Sequence, residues 1–255
     1  MDAICHFGDT GDPSLGSTGT AVLAVRPARS VIAVLRLSVG YGAAVLHPAE
    51  RALIRGSPPA RCRDFAAGRA AAADALRLLG RSGPVLREAR RPLFPTGVRG
   101  SISHCRGAAA TCLATTRTDV SGVGVDVERV GRLSPASAGL VCTPREQALV
   151  AGSDAGGRLL TVMFSAKEAF YKAATALALP REPVFHDLEV LPACAHESAD
   201  ADRSRDRSAC GKGNGLRLTP APGLLPDGCT VRGQVRCVGP YVWTTVLLRS
   251  GNGPS

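Results

Sequence analysis

The chain has 255 residues, of which 45% are hydrophobic and 20% charged, and its formal net charge is +10. These proportions suit a globular chain of one domain with two fused halves, or of two small domains. They exclude a membrane-spanning helix, because no apolar run approaches the roughly 20 residues needed to cross a bilayer, and the 4% aromatic content offers few platforms for stacking single-stranded nucleic acid.

Residues 1–30 read as an irregular or disordered extension, Gly-, Ser- and Asp-rich over 1–20. Asp2, Asp9 and Asp12 argue against an export or organelle signal, so the expected location is the cytoplasm. The fairly apolar stretch 21–39, interrupted by Arg26, Arg29 and Arg36, reads as one or two strands, most clearly over Val31–Leu37. A short helix opening on Pro48 is expected over 48–54. A longer one is expected over 62–79, where Phe65, Ala66, Ala72, Leu76 and Leu79 form a helical stripe and Gly80 ends it. A loop rich in Pro, Gly and Arg fills 81–100, and short extended segments follow at 101–103 and 108–115. Residues 122–130 read as a strand, and 144–150 as a helix capped by Thr143. The strongest helix is expected over 158–177, and a further strand over 185–191. Residues 193–215 hold almost no large apolar side chain and read as a mobile insertion. The chain closes on a hairpin of strands at 230–238 and 241–248, joined by Gly239-Pro240. The class is α+β, with an N-terminal half at 31–120 and a C-terminal half at 121–255; no internal repeat stands out.

Nine cysteines are scattered without any C-x-x-C pair, which indicates reduced thiols rather than a zinc site or redox motif. The positive charge favours an anionic partner. It comes almost wholly from arginine: only three lysines occur, and two of them, Lys167 and Lys172, flank Glu168. A solvated surface can use either cation, whereas a site needing a compact, titratable ammonium cannot use guanidinium. Glu168 and Lys172 are also i,i+4 neighbours on the strongest helix, on a face shared with Thr161 and Ser165 and opposite the stripe of Met163, Ala166, Phe170, Ala173, Ala174 and Leu177.

In Val123-Gly124-Val125-Asp126-Val127-Glu128 the alternation is strict. The valines face a core, and Asp126 and Glu128 share the other side, about 7 Å apart along the backbone. Two such carboxylates repel unless a cation sits between them, and hard oxygen ligands suit Mg²⁺. The plain alternatives are a solvated strand face with two acids and an ordinary Glu–Lys helix pair.

Taken together, the segments resemble the 4′-phosphopantetheinyl transferases, in particular the enterobactin synthetase component D group. The resemblance rests on Pro92-Leu93-Phe94-Pro95-Thr96-Gly97 followed by Gly100-Ser101-Ile102-Ser103-His104-Cys105, on Gly122 to Glu128, and on Phe164-Ser165-Ala166-Lys167-Glu168-Ala169-Phe170-Tyr171-Lys172. A weaker block is Ala67-Gly68-Arg69-Ala70-Ala71-Ala72. Phe94 and Phe164 stand where tryptophan is frequent. The resemblance implies two similar α+β halves about a pseudo-twofold axis with coenzyme A between them. It implies a monomer that moves 4′-phosphopantetheine to a serine of an apo acyl or peptidyl carrier protein and releases 3′,5′-ADP. By position, Asp126, Glu128 and Glu168 would bind Mg²⁺. Glu168 would take the serine proton, and Lys172 would contact the diphosphate and stabilise or protonate the departing group. Lys167, Ser103, His104, Arg69, Arg61 and Arg87 would contact the coenzyme, with His104 on its 3′-phosphate. The net charge would steer an acidic carrier without any nucleic acid. Two rivals remain at this point: a metal-dependent phosphodiesterase or nuclease using the same acids, and a non-catalytic basic binding protein.

Overall fold

A computed structural model describes residues 21–37, 46–89, 91–192 and 215–251. The first half opens with β1 (Ala21–Ala28) and β2 (Val31–Leu37), continues through α1 (Pro48–Ala52) and α2 (Pro59–Leu78), and adds a two-stranded ribbon, β3 (Leu86–Glu88) and β4 (Arg91–Leu93). It ends with β5 (Arg99–Cys105) and β6 (Ala109–Thr115). The second half runs from β7 (Val120–Arg129) through a 3₁₀ turn at Pro135–Ser137 to α3 (Ala138–Val141), α4 (Pro144–Ala151) and α5 (Gly156–Ala174). A 3₁₀ turn at Phe185–Asp187 then leads into β8 (Leu188–Pro192), β9 (Gly215–Pro220), β10 (Thr230–Val238) and β11 (Tyr241–Arg249).

The halves follow one plan. The first main sheet has the order β1-β2-β6-β5 and the second β7-β11-β10-β9-β8, so in each half the strand before the helices pairs with the last strand of that half. All pairings are antiparallel. The inner faces of the sheets pack together through Val31, Ala33, Leu35 and Leu113 against Val123, Val125, Val127 and Trp243. Behind the first sheet lies α2, seated by Ala71, Ala72, Ala75 and Leu76 on Ile32, Val34 and Cys112. Behind the second lies α5, whose Met163, Ala166, Phe170 and Ala173 meet Val190, Val246 and Leu248.

Several elements differ from expectation. The stretch 21–39 supplies two strands, as its apolar pattern suggests, so the irregular extension ends before Ala21 rather than at residue 30: Ala21 to Val25 ladder onto β2. The 81–100 loop contains β3 and β4. Helix α2 starts at Pro59, a proline whose missing N–H costs nothing in a first turn; Gly80, at φ +67°, closes it, with the Arg81 N–H returning to the Leu76 carbonyl. The strand expected over 185–191 begins only at Leu188: Asp187 accepts the Val184 amide and the Arg181 guanidinium, which holds Phe185–Asp187 in a turn. Residues 1–20 and all but the last residue of the 193–215 insertion lie outside the described residues. That last residue, Gly215, opens β9. The six described cysteines are free thiols. Among the described residues no helix is long and apolar enough to cross a membrane.

Candidate functional site

The site sits where two sheet edges meet. Both β5 and β7 are outermost strands of their sheets, and no backbone ladder joins them. Serine hydroxyls and one ammonium bridge the gap instead. Ser101 Oγ accepts the Val125 N–H (3.3 Å), and Ser103 Oγ donates to Asp126 Oδ1 (2.8 Å). Lys172 reaches across from α5, donating to Asp126 Oδ1 (2.7 Å), Ser103 Oγ (3.0 Å) and the Val125 carbonyl (3.3 Å).

Two glycines make this reach possible. A Cβ on Gly124 would stand 1.7 Å from the Ala169 carbonyl oxygen, and one on Gly122 would stand 2.3 Å from that of Ala173. Any side chain there would lift α5 off β7 and withdraw Glu168 and Lys172 from Asp126.

Asp126 is only 3% exposed, so the solvated-face alternative does not hold. Glu128 points at Arg132 (Oε2 to Nη1, 2.9 Å). Burial raises its pKa, and the Asp126 charge raises it further, against Arg132 and Lys172. Glu168 is raised as well, mainly by burial, with Lys172 pulling down and Asp126 pushing up. His104, on β5, is kept below its ordinary pKa by burial, against the pull of Asp64; Lys172 and Arg61 lower it further. Its imidazole is therefore neutral at neutral pH, with Nδ1 3.9 Å from Asp64 Oδ2. A cleft of about 720 Å³ opens beside these groups, lined by Glu168, Lys172 and Tyr171 from the second half and by Phe94, Arg91 and Arg99 from the first.

Two expected coenzyme contacts are placed elsewhere. Lys167 is buried in the second half, where its Nζ donates to Glu146 Oε2 (2.6 Å) and to the Val141 carbonyl (2.7 Å). Roughly 100° round the helix from Glu168, it points away from the cleft. Arg69 is 7% exposed: it donates to the Leu86 carbonyl (3.1 Å), lies 3.9 Å from Glu50 and stacks over the Phe65 ring. Arg61 and Arg87 are exposed, Arg61 close enough to act on His104 and Arg87 on Arg69. Arg91 and Arg99 do line the cleft, and nothing in their local sequence pattern sets them apart from the other arginines.

The three carboxylates do not form a ready-made chelate. Among the described residues no three acidic, histidine or cysteine side chains converge on one point. The expected cluster is opened by Lys172 and Ser103, which hold Asp126, and by Arg132, which holds Glu128. The donor set still fits Mg²⁺. Burial is the main cause that raises both glutamates, with Asp126 adding to the rise and Lys172 opposing it, so these carboxylates stand short of counter-charge, and Mg²⁺ takes only one or two carboxylates from a protein, filling its shell with water and phosphate.

Comparison with known proteins follows the same division into halves. The family model for the 4′-phosphopantetheinyl transferase N-terminal domain matches residues 49–114. That for the 4′-phosphopantetheinyl transferase superfamily matches residues 122–210. Enterobactin synthase component D of Salmonella typhi is 37% identical over 127 residues, covering 47% of this chain and 51% of that protein. The 4′-phosphopantetheinyl transferase Npt of Nocardia iowensis is 36% identical over 129 residues, covering 50% of this chain and 58% of that protein. The chain thus spans about half the length of the curated relatives it matches. Among solved structures, the holo-[acyl-carrier-protein] synthase of Thermotoga maritima aligns with a TM-score of 0.37 at 22% identity, over 53% of this chain and 67% of that one.

Proposed function

Because the chain belongs to the 4′-phosphopantetheinyl transferase superfamily, we propose that it transfers the 4′-phosphopantetheine of coenzyme A to a serine hydroxyl of an apo acyl or peptidyl carrier protein. The observation that carries this reading is the seam itself: Lys172 joins Ser103 of one half to Asp126 of the other, beside a cleft that Glu168 also lines. A diphosphate held between the halves would meet an ammonium from one side and the Arg91 and Arg99 guanidiniums from the other.

The serine oxygen of the carrier attacks the β-phosphorus of coenzyme A. The P–O bond to the adenylate side breaks, and 3′,5′-ADP leaves. Glu168 receives the serine proton; its raised pKa makes it a stronger base than an ordinary carboxylate. Lys172 stabilises or protonates the departing phosphate. Asp126, Glu128 and Glu168 would hold Mg²⁺, which when bound neutralises charge on the diphosphate. His104 would offer an N–H to the 3′-phosphate, with exposed Arg61 supplying charge beside it. The net charge of +10 favours approach of an acidic carrier.

The test is incubation with an apo carrier protein, coenzyme A and Mg²⁺, read by mass spectrometry of the carrier. The carrier is expected to gain one phosphopantetheine group, and chelation of the metal to stop the gain. Glu168→Gln is expected to slow transfer by about 10²-fold or more while the circular dichroism spectrum stays unchanged. Full activity in that variant would remove Glu168 from the mechanism.

A further inference from the structure

Three polar atoms beneath the site are buried without a hydrogen-bond partner: Asp126 Oδ2, Ser165 Oγ and Thr244 Oγ1. Their residues are 3%, 0% and 0% exposed. Buried polar atoms in native proteins are almost always satisfied, by ordered water where protein groups do not serve. Ser165 is the more telling because a helical serine can bond the carbonyl four residues back; Thr161, on the same helix, does so to Gly157 (2.8 Å).

Strand register and helix phase place the three together. Thr244 is the direct cross-strand partner of Asp126 in the β7–β11 pair, so their side chains share a face with Cβ atoms roughly 5 Å apart. That face is turned to α5, since Val246 and Leu248, on the same side of β11, pack in the α5 core. Helix α5 runs antiparallel to β7: Gly122 meets Ala173 and Gly124 meets Ala169. One further step of two residues up the strand, about 6.6 Å, reaches Asp126. One further turn back along the helix, about 6 Å, reaches Ser165. Ser165 also precedes Lys172 by seven residues and so lies within about 20° of the azimuth from which Lys172 reaches Asp126.

We propose that Asp126, Ser165 and Thr244 enclose a site for one buried water molecule, which orients the Asp126 carboxylate. The water donates to Asp126 Oδ2 and to one hydroxyl and accepts from the other, giving the three bonds usual for a buried water. One lone pair of Oδ2 is then anchored from behind and its second is left for the metal, while Oδ1 stays on Ser103 and Lys172 at the seam. Ser165 and Thr244 become positioning residues for Asp126. Their effect on metal rests on the assignment of Asp126 to Mg²⁺ given above; the water itself does not.

A high-resolution crystal structure of the full chain, with Mn²⁺ binding followed by electron paramagnetic resonance, tests this. Density for one water within hydrogen-bond distance of all three atoms is expected. Ser165→Ala and Thr244→Val are expected to weaken Mn²⁺ binding about tenfold without lowering the melting temperature, and Thr244→Ser to restore it. A purely structural role would move the melting temperature and leave Mn²⁺ affinity alone, which would overturn the positioning role. Density showing both hydroxyls bonded to carbonyl groups, with no water, would overturn the site. If the wild-type protein binds no Mn²⁺, the metal assignment above fails, and the density alone then decides for or against the water.

Discussion

Each half of the molecule buries a glutamate under a short helix, and the two glutamates are answered differently. In the first half Glu50 closes the capping box of α1, accepts the Val85 amide and lies 3.9 Å from Arg69 of α2. In the second half Glu146 closes the capping box of α4, accepts the Val190 amide and holds Lys167 of α5 at 2.6 Å. The segments are visibly related: His47-Pro48-Ala49-Glu50-Arg51-Ala52-Leu53 against Thr143-Pro144-Arg145-Glu146-Gln147-Ala148-Leu149. The first pair is loose, with Arg69 Nε at ion-pair distance from Glu50 but without a hydrogen bond, whereas the second is tight and almost fully dry. The tighter latch sits one residue from Glu168. The difference teaches that the helix bearing the proposed reacting groups is held by the shorter and drier of the two ion pairs.

Breaking the latches should expose that difference most strongly. Lys167→Met strands a carboxylate at 0% exposure and is expected to cost roughly 3–5 kcal/mol in chemical denaturation. Arg69→Met removes a weaker contact and should cost about 1–3 kcal/mol. Equal losses would erase the distinction. The glycines that seat the helices come next. Gly124→Ala drives a Cβ into main-chain oxygen and is expected to cost about 3 kcal/mol. In the first half, Gly68→Ala meets only the Ile102 Cγ2 tip at 2.8 Å, and the gain in helix propensity should bring the net change within about 1 kcal/mol of zero. The smallest effect belongs to the acids. The Glu168 carboxyl holds its proton more tightly folded than unfolded, so ionising it costs stability as pH rises through and above the ordinary glutamate range. Glu168→Gln should therefore melt a few degrees above the wild type at pH 8, with the gap closing as pH falls below about 4. A lower melting point at pH 8 would contradict the burial that raises the Glu168 carboxyl.

Much of this was legible locally. Strict alternation placed Val123, Val125 and Val127 in the core and Asp126 behind them, Thr143 announced α4, and Gly239-Pro240 joined the final hairpin. What escaped depends on distant partners. The start of β1 at Ala21 is set by its ladder to β2, and β9 borders a stretch with almost no apolar pattern. Both Lys167 and Lys172 bracket Glu168 in sequence; helical phase sets them about 140° apart, and only the packing of α4 and β7 against α5 shows that one meets Glu146 and the other Asp126. The related capping segments carry no weight until their glutamates are seen to do the same thing.

The seam has a consequence for solubility. An outermost strand offers a row of unpaired amides and carbonyls to any passing chain, a template for aggregation. By setting β5 against β7, the protein makes each such strand screen the other, and Ser101 and Lys172 answer the Val125 N–H and carbonyl that a foreign strand would seek. Removing that hydroxyl or that ammonium would leave the Val125 N–H or carbonyl unanswered at the seam while leaving every ladder within the sheets intact.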